Sequence, residues 1–79
     1  MKYYSRRDDM GNDLLLEWVD ADISKMTNSQ LYEIACLDCE DCDNDEIEIH
    51  IVGIDNNGNE TTFAEFCLMN DGRGKFSYA

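Results

Sequence analysis

The chain has 79 residues, with 18 Asp and Glu against 6 Lys and Arg, for a formal net charge of −12 and a calculated pI near 4.1. Such a surplus excludes direct binding to nucleic-acid phosphates or to anionic membrane surfaces and points to basic partners or to cations. A hydrophobic content of 43% excludes intrinsic disorder, and the length admits one domain, 1–79, too small for a large preformed substrate cleft.

Residues 2–5 read as a strand that pairs, across a loop at 8–13, with a second strand over 14–19. There Leu14, Leu16 and Trp18 alternate with Leu15, Glu17 and Val19. Thr27-Asn28-Ser29-Gln30 has the form of a capping box and predicts a helix over 28–39, with Leu31, Ile34 and Ala35 as its apolar stripe. The last turn of that helix is acidic, which opposes the negative end of the helix dipole. Residues 46–51 alternate with period two, so Ile47, Ile49 and Ile51 face a core while Glu46, Glu48 and His50 face away. Asn57-Gly58 predicts a hairpin turn into a strand over 61–68, and the turn at 70–74 leads to a short edge strand over 75–78. The expected fold class is α+β: a small, mostly antiparallel sheet of three to five strands with one α-helix packed on one face. Its expected core is Leu14, Leu16, Trp18, Leu31, Ile34, Ile47, Ile49, Ile51, Phe66 and Leu68.

The charge is unevenly placed. Residues 8–72 hold all 18 carboxylates and one cation, Lys25, while Lys2, Arg6, Arg7, Arg73 and Lys75 sit near the two ends. The densest stretch is Asp38, Glu40, Asp41, Asp43, Asp45, Glu46 and Glu48, interrupted by Cys39, Cys42 and Ile47 and running into an apolar strand. These seven are the candidate partner-binding residues. Carboxylates two apart on a strand stand about 6.5–7 Å apart, comparable to phosphates along a nucleic-acid strand, so a folded surface of this kind can fill a basic groove. Cys36, Cys39 and Cys42 form Cys-x2-Cys-x2-Cys, and Cys67 or His50 can supply a fourth ligand. No cofactor is expected; a zinc module on Cys36, Cys39, Cys42 and Cys67 is the alternative, although the second Cys-x2-Cys pair of a structural zinc site is missing. Alternate acids at 41, 43 and 45 lack the Gly and Glu of a calcium-binding EF-hand loop. One histidine among many acids, with no phosphate loop or hydrolase motif, gives no support for catalysis, and no enzyme is expected. An acidic assembly or regulatory subunit is the third reading.

A domain under 100 residues, strongly acidic, carrying the run 38–48 and no catalytic motif, resembles the small phage-encoded anti-defence inhibitors, the anti-CRISPR and anti-restriction proteins that act as nucleic-acid mimics. The resemblance implies a stoichiometric inhibitor that occupies a DNA- or RNA-binding surface of a basic partner, or the surface where a nuclease subunit docks. It would act in the host-cell cytoplasm. The absence of an apolar stretch long enough for a signal peptide or membrane span accords with a cytoplasmic protein that touches neither membrane nor nucleic acid directly.

Overall fold

Among the described residues six regular elements follow one another as β1 (Lys2–Asp9), β2 (Asn12–Glu17), α1 (Asn28–Asp38), β3 (Glu46–Ile54), β4 (Glu60–Asn70) and β5 (Phe76–Tyr78), with a 3-10 turn at Ile23–Lys25 between β2 and α1. They are seen in a computed structural model that describes residues 1–9, 11–39, 46–70 and 76–78. The strands form one sheet in the order β2-β1-β3-β4-β5, and every neighbouring pair is antiparallel. With α1 against one face, the fold is the α+β class that the alternation and the capping box predict.

Local chemistry explains the elements. Gly11 takes φ +86° at the β1–β2 turn, where its N–H donates to the Asp8 carboxylate at 3.1 Å. At the start of α1 the capping box is complete. The Gln30 N–H donates to Thr27 Oγ1 at 3.3 Å, and the Thr27 N–H donates to Gln30 Oε1 at 2.9 Å. Between β3 and β4 the turn is wider than a two-residue hairpin. Gly58 at φ +83° lies within a loop closed by Asp55 N–H to Asn59 O at 3.0 Å.

Alternation then sorts the two faces of the sheet. Ile47, Ile49 and Ile51 of β3 and Phe66 and Leu68 of β4 pack beneath Leu31, Ile34 and Ala35 of α1, joined by Cys39 and by Ile23 from the 3-10 turn. Tyr32 meets Phe66 edge-on, with ring centroids 5.7 Å apart. The register passes from Ile51 opposite Ala64 to Val52 opposite Thr62, so Phe63 is the extra residue of a β-bulge in β4.

Two expected core residues are corrected. Leu14 and Leu16 remain 40% and 44% exposed, because β2 is the edge of the sheet and α1 packs on β4, β3 and β1. Each gains little more than half of the roughly 1.5–3 kcal/mol that full burial of such a side chain contributes. Trp18 is half-buried at the margin of the core. Ile23, Cys39 and Val52 are buried in addition to the expected set, as is Ser5.

Candidate acidic interface

The bonds of β1 identify which residues share the face away from α1. Ser5 and Arg7 both reach Asp38 on the helix, so they point toward α1, and their neighbours Lys2, Tyr4, Arg6 and Asp8 point the other way. The register carries this parity across the sheet. Tyr4 lies opposite Glu17, Arg6 opposite Leu15 and Asp8 opposite Asp13; Arg6 lies opposite His50, and His50 opposite Glu65. The open face therefore displays Asp8, Asp13, Glu17, Glu46, Glu48, Glu60 and Glu65, all exposed, drawn from four strands.

Only Lys2 and Arg6 oppose them on this face among the described residues, and Arg6 is already engaged. Its guanidinium lies 2.7 Å from Glu60 and 3.4 Å from Asp13. Asp8 directly opposite Asp13 is a like-charge cross-strand pair, an unfavourable placement that Arg6 partly offsets. His50 Nε2 is 2.8 Å from Glu48 Oε1, so the single histidine rests against the row of acids on its own strand. Arg6, Asp8, Asp13, Glu46, Glu48 and His50 together rim an open depression where the β1–β2 hairpin diverges from β3.

The predicted partner-binding residues divide into three groups. Glu46 and Glu48 stand on the open face. Asp38 does not join them: its side chain is 7% exposed and turned into the fold, where it accepts a 2.5 Å hydrogen bond from the Ser5 hydroxyl and faces Arg7 at 3.7 Å. Glu40, Asp41, Asp43 and Asp45 lie outside the described residues. Asp8, Asp13, Glu17, Glu60 and Glu65 were not among the predicted set, because they are scattered in sequence and only strand pairing assembles them. The available signal was alternation, which puts Asp13 and Glu17 on one side of their strand.

The cysteines of the alternative zinc reading are not all brought together. Cys39 is buried at the C-cap of α1 and Cys36 is half-buried on the helix. Cys67 is exposed opposite Glu48, on the other face of the sheet, and Cys42 lies outside the described residues. Among the described residues no three His, Cys, Asp or Glu side chains form a group that could hold a metal ion. No described helix is long and apolar enough to cross a membrane.

Fold and site together define an acidic α+β domain with one sheet face covered by a helix and the other carrying, among the described residues, seven exposed carboxylates. No protein-family model, curated protein or solved structure matches the chain.

Proposed function

We propose that this protein is a non-enzymatic binding protein whose open sheet face occupies a basic, nucleic-acid-binding surface of a partner protein, in the manner of the anti-defence inhibitors it resembles. One observation carries the reading: seven exposed carboxylates share a face on which Arg6 is already paired and Lys2 is the other cation among the described residues. A surface acidic only for solubility usually mixes both signs. Here Glu46 and Glu48 stand about 6.5–7 Å apart along β3, and Asp8 and Asp13 face each other across strands about 4.8 Å apart, on a rigid sheet that needs little ordering to bind. Long-range attraction between such a face and a basic groove accelerates encounter and makes the association salt-dependent.

The test uses the whole chain as bait in nuclease-treated lysate of the source organism at low salt, beside a variant carrying Glu46→Lys, Glu48→Lys and Glu65→Lys. Three reversals change the net charge from −12 to −6. Each reversal also sets a cation against a basic surface, and such like-charge juxtapositions cost several kcal/mol, so binding weakens upwards of a hundredfold. The captured protein is expected to elute early in a salt gradient, to be absent from the variant and to release its own nucleic acid when the wild-type chain is added. Retention into high salt, or equal capture by the variant, overturns the reading.

A further inference from the structure

The edge strand β2 combines features that natural sheet edges normally avoid. Leu14, Leu15 and Leu16 are consecutive, all 40–47% exposed, and every residue of the strand is exposed. No Lys, Pro or bulge blunts it, although those are the usual protections against pairing with another chain.

Hydrogen-bond parity shows which backbone groups are open. The Trp18 N–H donates to Tyr3 O at 2.9 Å, which makes Tyr3 and Trp18 a hydrogen-bonded antiparallel pair. By alternation Ser5 with Leu16 and Arg7 with Leu14 are pairs of the same kind, so the backbone groups of Asp13, Leu15 and Glu17 point away from β1 toward the free edge. Their side chains lie on the open, acidic face, and Leu14 and Leu16 lie on the helix-side face.

From this we infer that β2 receives an extended segment of a basic partner as a sixth strand. That segment carries three consecutive apolar residues flanked on each side by Lys or Arg. The geometry dictates the pattern. Strand addition pairs the incoming backbone with Asp13, Leu15 and Glu17. On the open face the flanking cations then stand opposite Asp13 and Glu17, with an apolar residue opposite Leu15. On the other face two apolar side chains meet Leu14 and Leu16 at non-hydrogen-bonded positions, where cross-strand side chains approach most closely. Glu17 makes no ion pair among the described residues, and Asp20 and Asp22 continue the negative charge beyond the strand.

A second copy of the chain fits poorly. The two-fold antiparallel register that puts Leu15 against Leu15 sets Asp13 directly against Glu17 twice, between two molecules that each carry −12. The two readings share Asp13 and Glu17 but are distinguishable, because Glu46→Lys, Glu48→Lys and Glu65→Lys leave β2 intact.

The probe is a capped peptide with three β-branched residues between two lysines, titrated into the full chain by fluorescence anisotropy. Two control peptides accompany it, one with glutamates for the lysines and one N-methylated at the central residue. Binding is expected for the basic peptide only. N-methylation should weaken it at least about tenfold, the effect of losing one or two net backbone hydrogen bonds. In the protein, Leu15→Pro removes an N–H that points to the free edge and leaves the β1–β2 bonds in place, a position where an edge strand accepts proline; it should abolish binding at an unchanged circular-dichroism spectrum. Glu17→Lys should weaken the basic peptide and favour the glutamate one. Equal binding of the N-methylated peptide, indifference to Glu17→Lys, or concentration-dependent dimerisation of the wild type that Leu15→Pro abolishes would each overturn the proposal, and the N-methylated arm decides it should Leu15→Pro not fold.

Discussion

Ser5 Oγ donates to Asp38 Oδ2 at 2.5 Å and accepts from Trp18 Nε1 at 3.0 Å, so one buried hydroxyl ties the end of the helix to β1 and to the indole that follows β2. Arg7 completes the connection. Its guanidinium donates to the Asp38 backbone carbonyl at 2.5 Å and lies 3.7 Å from the Asp38 carboxylate. The helix has no basic residue of its own in its last turn. A cation 31 residues away in sequence therefore serves the negative end of its dipole and offsets the cost that its acidic C-terminus implies.

This arrangement separates net charge from local geometry. Asp38→Asn lowers the net charge from −12 to −11, and a fold limited by self-repulsion alone would gain stability. The opposite is expected. Asp38 is 7% exposed and Arg7 15%, so removing one member leaves the other buried without its partner, a cost of order 3 kcal/mol. Arg7→Met should destabilise by a similar amount, and Arg7→Met with Asp38→Asn by clearly less than the sum. Urea unfolding of the four proteins in a double-mutant cycle measures the coupling. Additive losses would show that the pair contributes nothing beyond its separate packing.

A second prediction concerns space rather than charge. Gly53 is buried on β3, where a Cβ would lie 2.9 Å from Phe63 Cε2 and closer still to Met1 Sδ. The missing side chain lets Phe63 lie edge-on to Tyr3, with centroids 5.9 Å apart and planes at 67°. The Met1 tip can swing aside, whereas Phe63, the extra residue of the bulge, is packed edge-on against Tyr3. Gly53→Ala should cost about 1–3 kcal/mol of overpacking. Combining it with Phe63→Leu should recover part of that loss in the unfolding midpoint, and a Gly53→Ala protein as stable as the wild type would exclude the steric account.

What the sequence made legible was local. The Thr27–Gln30 capping box and the alternation of Glu46 to Ile51 depend on residues within four positions, and both stand as read. The fates of Leu14 and Leu16 depended on whether β2 lies inside the sheet or at its edge, and pairing between distant strands decides that. Asp38 looked like one more member of an acidic run because its partners, Ser5 and Arg7, lie more than thirty residues away. The acidic face was only half visible for the same reason. Glu46 and Glu48 are contiguous by alternation, whereas Asp8, Asp13, Glu17, Glu60 and Glu65 join them through register, and the bulge at Ile51/Val52 alters that register in a way composition does not announce.

Salt should stabilise the isolated fold. The net charge of −12 and the crowding of acids on one face, including Asp8 directly opposite Asp13, make self-repulsion the larger electrostatic contribution. Screening acts over about 10 Å at 0.1 M ionic strength. The same salt weakens the Arg6 pairs with Asp13 and Glu60, but exposed pairs contribute roughly 0–1 kcal/mol. The melting temperature should therefore rise from low to moderate sodium chloride, and the rise should be smaller in the Glu46→Lys, Glu48→Lys, Glu65→Lys protein. A flat or falling curve for the wild type would mean that specific ion pairs outweigh repulsion.

The loop between β3 and β4 gives a pH dependence of opposite sign. Asp55 Oδ1 accepts from the backbone N–H groups of Asn59 and Asn57 at 2.9 Å each, and these bonds, that of Asn59 first, lower its pKa below the ordinary Asp value. A carboxyl whose folded pKa is depressed contributes stability that is fully present above its unfolded value, near 3.9, and is lost as pH falls through the folded value. Acid also discharges the other carboxylates and relieves repulsion, so the wild-type melting curve alone mixes both effects. Asp55→Asn keeps an acceptor oxygen and removes the charge, and the difference between the two proteins isolates this one group. The wild type's advantage over Asp55→Asn should be constant at neutral pH and shrink below about pH 4. A difference that holds steady or grows on acidification would show that the ionised carboxylate does not favour the folded turn.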